Sequence, residues 1–237
     1  MNSTGYHPHL FLPVNHAWLS RFNAIYPEAF QKCFEYLQLS QIKGPVLEFG
    51  TFFGYSASVI AYLLKHFQLD WPLYLYDSFQ GLPEPEHSVD QASYEVKAHQ
   101  VWLKGAMNVP EEIPDQIHKG LSVLLPLEQI HVIPGFFSET LPASLPKEPA
   151  ALVHLDCDLY ASSLSVLKAL LERELFQDGC LLLMDDYSCN KANPKMGQRR
   201  ALREAFAEQE RWSISEFMGY GWGSKAFFVH DTAVEPV

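Results

Sequence analysis

VLEFGTFFGYS, Val46 to Ser56, sets a short apolar run holding one acid, Glu48, against two spaced glycines, Gly50 and Gly54, and then Ser56. Ile60, Leu63, Leu64 and Phe67 follow at helical spacing, so this corner joins a buried strand to a helix. Glycine lets the backbone turn sharply and lets a ligand approach where a Cβ would collide. Ser56, near the helix start, can offer a hydroxyl and a free N–H to a carboxylate. An ordinary tight turn explains the same pattern, and Gly-x-x-x-Gly alone carries little weight.

Working outward, residues 27–39 read as an amphipathic helix with Phe30, Phe34 and Leu37 on one face. PLYLYD, ending at Asp77, is a second strand, IHVIPG a third, ALVHLD, ending at Asp156, a fourth and CLLLMDD a fifth. Helices are expected over 115–124, on the face marked by Leu164, Leu167, Leu171 and Leu175, and over 198–208. WSISEFMG and KAFFVH close the chain as two strands joined by a short turn, which makes one of them antiparallel at the edge. Strands alternating with helices, and apolar on both faces, indicate an α/β fold: a Rossmann-like, doubly wound, mostly parallel sheet. The 237 residues form a single domain. Residues 1–40 are read as an N-terminal helical or lid extension, and 80–112 as a lid-like insertion.

Four of these strands end in acids: Glu48, Asp77, Asp156 and the pair Asp185–Asp186. Open α/β sheets bind ligands beyond the carboxyl ends of their strands, so these acids would crowd along one rim. Like charges gathered there need partners, and ligand cations and hydroxyls are the economical ones. Asp77, ending the strand after the glycine corner, stands where a ribose-binding acid stands in nucleotide-binding units, although a turn or cap aspartate is its plain alternative. Asp156, Asp185 and Asp186 make an oxygen-rich set suited to a hard divalent ion such as Mg2+. Asp158 is read as a helix cap, and His154, inside a strand, as a satisfied core residue.

Composition excludes other classes. A net charge of −11 argues against nucleic acid. No stretch reaches the ~20 apolar residues of a membrane span, and the first residues lack the pattern of a secretory signal. Cys33, Cys157, Cys180 and Cys189 show no metal or disulfide spacing, as expected of a cytoplasmic protein with reduced thiols.

EFGTFFGYS, YDSFQGLPEPE, IPGFFSETLP, LDCDLYASS, DDY and GQRRALREAF, in this order, resemble the macrocin O-methyltransferase family, over about Val46 to Phe206. The resemblance implies a class I methyltransferase fold and an S-adenosylmethionine-dependent, usually Mg2+-assisted O-methyltransferase acting on sugar hydroxyls of natural products. It places Gly50, Thr51 and Ser56 around the methionine end of the cofactor with Glu48 nearby. Asp77 would take the ribose, with Ser78 and Phe79 beside it, and Gly135 and Phe136 would lie near the adenine. Asp156, Asp185 and Asp186 would bind the metal, with Asp156 and Asp185 positioning the reacting hydroxyl, and residues 197–201 would border the substrate. A homodimer is implied by the resemblance alone.

The partner implied is a small hydroxylated acceptor. A metal held at the rim would bind and orient its vicinal oxygens. His16, His87 and His99 are candidate bases, and Tyr6, Phe11, Trp18, Trp102 and Trp222 candidate walls of an acceptor pocket. The rival readings are a nicotinamide-dependent oxidoreductase, whose Gly-x-Gly-x-x-Gly corner is missing, and a cofactor-binding protein without turnover.

Overall fold

The computed structural model describes residues 25–234. Seven strands form one sheet: β1 (Val46–Phe49), β2 (Leu73–Asp77), β3 (Ile130–Pro134), β4 (Leu152–Leu155), β5 (Leu181–Met184), β6 (Trp212–Tyr220) and β7 (Ser224–Asp231). Their order is β3-β2-β1-β4-β5-β7-β6. The first five are mutually parallel, and β7 pairs antiparallel with both β5 and β6. The antiparallel strand is therefore β7, one place in from the rim, because a three-residue turn returns it against β6 while its other edge completes β5.

Period-two alternation divides the core in two. Val46, Leu73, Leu75, Leu152, Leu181 and Leu183 face α1 (Ile25–Leu39), α2 (Tyr55–His66) and the helix Ile113–Leu121. Leu47, Phe49, Tyr76, Val153, Leu155, Leu182 and Met184 face Phe137–Ser144, Tyr160–Glu172 and Gly197–Ala207. These follow two short helices, α3 (Ser88–Gln91) and α4 (Tyr94–Lys97), so the four longer ones after α2 are α5 (Ile113–Leu121), α6 (Phe137–Ser144), α7 (Tyr160–Glu172) and α8 (Gly197–Ala207). The sequence pattern does not reveal α6, whose eight residues include Pro142 and bury only Leu141.

Residues 80–112 carry α3 and α4 and are tied down at several points. Asp90 accepts hydrogen bonds from the Tyr160 and Ala161 N–H groups (2.7 and 3.1 Å), capping α7. Asp158 therefore does not cap that helix: its backbone is left-handed (φ 57°) and α7 receives its acid from the insertion. The Tyr94 N–H donates to Asn190 Oδ1 and the Asn190 N–H to Glu95 Oε1. Trp102 is buried against Leu159 and Cys189.

Among the described residues no helix is long and apolar enough to cross a membrane. All four cysteines are free and buried.

Candidate functional site

The order of strands reverses between β1 and β4, which lie side by side while their crossovers leave in opposite directions, and this switch point is where doubly wound sheets open a crevice. A cavity of about 560 Å³ lies there, at the carboxyl ends of the strands. Gly50, Thr51, Ser56, Asp77, Ser78, Gly135 and Phe136 line it, together with Asp156 and Asp185. Residues widely separated in sequence thus meet at one edge.

The glycine corner is built by packing as much as by any ligand. A Cβ on Gly50 (φ 93°) would stand 1.6 Å from the Asp156 carbonyl oxygen, and one on Gly54 (φ 78°) 2.9 Å from Ile117 Cγ1. Gly54 precedes α2, whose first turn carries no acid and no side-chain cap. Its positive end faces the cavity through Ser56, ready for an anionic group.

Asp77 holds the corner in place. Its Oδ2 accepts from the Thr51 and Phe52 N–H groups at 2.8 and 2.7 Å, and its Oδ1 from Phe79 N–H at 2.7 Å. Burial pushes its carboxyl above the ordinary aspartate range, against the downward pull of those three donors. Thr51 Oγ1, beside it, is buried without a hydrogen-bond partner among the described residues.

Three expected residues lie elsewhere. Phe79, at φ 54°, is buried in the core, where a left-handed turn directs its ring away from the cavity. Glu48 is fully buried beneath the rim, with Oε2 3.0 Å from His154 Nδ1. Asp186 follows Asp185 by one residue and points the other way. Its Oδ2 accepts from Asp158 N–H (3.2 Å) and its Oδ1 from the Cys189 thiol (3.5 Å). Burial, then the charge of Asp185, raises the Asp186 carboxyl to about 7.

In place of Asp186 the fold brings in His154. One ligand atom from each of His154, Asp156 and Asp185 lies within 4.8 Å of the other two. The cause is register. His154 is the direct β4 neighbour of Glu48, and β5 pairs with β4 so that Asp185 continues beside Asp156, its N–H bonding Leu155 O at 3.0 Å. His154 is not a fully satisfied core residue: Nε2 has no hydrogen-bond partner among the described residues and lies 3.9 Å from Asp185 Oδ1. Burial lowers its pKa, but Asp185 and Glu48 together reverse this and raise it to about 9. Asp156 is pushed well above the carboxylate range, by burial first and then by Asp185, Asp186 and Asp158. Ser224 Oγ donates to the Asp185 backbone oxygen (2.7 Å) and to Oδ1 (3.1 Å), fixing that carboxylate. Tyr220, whose buried hydroxyl is unpartnered among the described residues, closes the far side.

This arrangement fits a divalent cation. Two half-buried carboxylates repel one another, and among the described residues one buried ring nitrogen has only the 3.9 Å approach of Asp185. Only the apolar strand interrupted by histidine, ALVHLD, signals His154 in the sequence. Nothing there signals Phe53, Tyr55 or Met107, which also line the cavity.

Of the candidate bases, His87 and His99 do not line it. His87 Nδ1 accepts from Val89 N–H at 3.2 Å, capping α3, and His99 stacks edge-on to Tyr94 with ring centroids 4.4 Å apart. Trp102 does not itself line the cavity but is buried behind Leu82, against Leu159 and Cys189, and Trp222 is exposed in the β6–β7 turn. His16, Tyr6, Phe11 and Trp18 fall outside the described residues.

Comparison with known proteins bears on this site. Residues 27–210 match the family model of macrocin-O-methyltransferase (TylF). The chain is 27% identical over 207 residues to the 8-demethyl-8-(2,3-dimethoxy-alpha-L-rhamnosyl)-tetracenomycin-C 4'-O-methyltransferase of Streptomyces olivaceus, covering 86% of this chain and 72% of that one. It is 26% identical over 191 residues to the mycinamicin III 3''-O-methyltransferase of Micromonospora griseorubida, covering 78% and 72%. The solved structure of the O-methyltransferase NovP shares the fold, with a TM-score of 0.67 and 21% identity over 85% of this chain and 78% of that one.

Proposed function

From the premise that this chain belongs to the macrocin-O-methyltransferase family, we propose that it methylates a hydroxyl of a sugar-bearing natural product. The methyl donor is S-adenosylmethionine and a divalent cation assists, with Mg2+ the ion expected from the resemblance. The observation that carries this reading is the single cavity holding the α2 start, Asp77, Gly135–Phe136 and the Asp156–Asp185 pair. The two relatives described act, by their names, at the 4'- and 3''-hydroxyls of glycosylated compounds, which supports a sugar acceptor.

The roles are those the resemblance implies, and the geometry supports them. The N-terminal end of α2, with Ser56 and Thr51, receives the donor's carboxylate. Asp77 retains acceptor capacity on its two oxygens after three backbone bonds, and takes the ribose hydroxyls. Gly135 and Phe136, at the start of α6, border the adenine. When bound, the cation would polarise the acceptor oxygen and favour loss of its proton. Asp156 and Asp185 hold that oxygen toward the sulfonium methyl, in a cavity that the 80–112 segment helps to close. The oxygen–methyl bond forms as the sulfur–methyl bond breaks, and the hydroxyl proton leaves to base or water.

Calorimetric titration is expected to show binding of S-adenosylmethionine and none of NAD. A methyl-transfer screen across glycosylated metabolites, with and without chelator, identifies the acceptor and the need for metal. Donor binding without turnover on any acceptor would favour the reading as a binding protein.

A further inference from the structure

We propose that Asn190 and Glu95 form a latch between the loop after β5 and the 80–112 segment, and that its release swings residues 93–107 off the cavity to admit ligand. Asn190 opens the short turn Asn190–Ala192. Its Oδ1 accepts from Tyr94 N–H at 2.8 Å, in the first turn of α4, and its own N–H donates to Glu95 Oε1 at 2.9 Å. The bonds are reciprocal, so neither partner stays in place without the other. Lys191 adds its ammonium over the Tyr94 ring, 4.2 Å from the centroid. Trp102, buried against Leu159 and Cys189, wedges the same part of the segment down.

The latched state is poised against release. Asn190, Lys191 and Ala192 are all left-handed, at φ 57, 55 and 53°. Asparagine tolerates that backbone, but lysine and alanine hold it only where their surroundings over-determine it. Glu95 and Asn190 are 8% and 4% exposed, and their Oε2 and Nδ2 atoms have no hydrogen-bond partner among the described residues. Water reaches both atoms once the latch opens, so release recovers solvation that the closed state forgoes. The start of α8 leaves no slack, since a Cβ on Gly197 would stand 3.0 Å from Asn190 Nδ2.

One end of the moving part is fixed, because Asp90 caps α7. Motion therefore starts at Ser93, whose Oγ caps α4 by accepting from Val96 N–H. At the other end lies a neck, where Leu82 N–H donates to Ala106 O (2.7 Å) and Gly105 N–H to Leu82 O (2.9 Å). Gly105 and Met107 are left-handed there, and a few such positions absorb the torsion of a swinging segment. Met107 lines the cavity and is half exposed, so its departure opens the wall while Pro83 stays.

The test is amide hydrogen exchange of the ligand-free full chain, read residue by residue by NMR. In the wild type the latch protons (Tyr94, Asn190) and the neck protons (Leu82, Gly105) are expected to exchange together. Their rate should exceed that of Tyr160 and Ala161, at the fixed end, at least tenfold. Glu95→Ala and Asn190→Ala are expected to raise exchange at Leu82 and Gly105, whose own partners are untouched, at least tenfold. Glu95→Gln keeps an acceptor for Asn190 N–H and should stay within threefold of the wild type. Equal protection at both ends in the wild type, which needs no variant to fold, overturns the latch. So does a neck unmoved in the alanine variants. Stopped-flow binding of S-adenosylmethionine, a probe that rests on the methyltransferase reading above, gives the second measurement. A latch closed in both free and loaded protein affects the two rates alike. Association and dissociation are therefore expected to rise at least fivefold in Glu95→Ala, with Kd within threefold. Weaker binding carried by dissociation alone overturns the gating role. A wild type that binds no S-adenosylmethionine overturns the methyltransferase reading, and hydrogen exchange still decides the latch.

Discussion

Glu48 Oε2 lies 3.0 Å from His154 Nδ1, across the neighbouring strands β1 and β4, with both side chains sealed from solvent. A buried acid and imidazole persist only when each satisfies the other, and removing one leaves an uncompensated group in the interior. The pair sits directly under the Asp156–Asp185 rim, so the rim and the core beneath it share one electrostatic unit.

That unit makes the metal-free protein less stable as pH rises. His154 titrates near 6.5 when unfolded and near 9 when folded, so its stabilisation is complete below about 6.5 and lost through 9. Asp186 moves from 3.8 to about 7, so its stabilisation is complete below about 4 and lost through 7. Both act in one direction. The melting temperature of chelator-treated protein is expected to fall by several degrees between pH 5.5 and 9, and His154→Gln to flatten the upper part of that slope. A profile that rises toward pH 9 would contradict this account.

Asp77→Asn keeps the size of the side chain but turns one acceptor oxygen into a donor. Either the Thr51 and Phe52 N–H groups or that of Phe79 then face an amide NH2. A loss of about 1–3 kcal/mol is expected from the unsatisfied donors, together with at least tenfold weaker binding of S-adenosylmethionine. Thermal melts and calorimetry measure the two effects separately; unchanged donor affinity would remove Asp77 from the ribose site.

Gly50→Ala and Gly54→Ala should differ sharply, though both add one methyl group at a positive φ. That backbone alone costs about 1–2 kcal/mol for a residue with a Cβ. At Gly50 the new carbon would also meet the Asp156 backbone oxygen, which cannot move without parting β1 from β4. At Gly54 it meets the buried Ile117 side chain rather than backbone, and a side chain can shift by a few tenths of an ångström without breaking the sheet. Gly50→Ala is expected to give little soluble protein, and Gly54→Ala a folded one with a lower melting temperature.

Asp90→Ala removes the acid that caps α7 from the 80–112 segment. Loss of an N-terminal cap costs about 0.5–2 kcal/mol, and here it also unties the segment from the helix. Hydrogen exchange is expected to rise across residues 84–100 and the first turn of α7, with the sheet unaffected. Uniformly faster exchange over the whole chain would show a global effect instead.

Much of the fold was legible because it is written in local pattern. The apolar runs at Val46, Leu73, Ile130, Leu152 and Leu181 announced the five parallel strands, and the spacing of Phe30, Phe34 and Leu37 announced α1. The acids at strand ends announced the rim, since α/β sheets gather their functional groups there. Helix α6 was not legible, because so short a helix with an internal proline leaves no periodic stripe.

The chain alone determined that Asp77, Asp156 and Asp185 would reach one edge of the sheet, because each stands at the end of a strand running the same way, while Glu48, inside β1, stays beneath that edge. Only the tertiary structure decided which of them meet. Pairing of β4 with β1 and β5 set His154 between Glu48 and Asp185, and the turn after β5 sent Asp186 to Asp158 N–H and the Cys189 thiol instead. Register is a property of two strands at once, and no single stretch of sequence carries it.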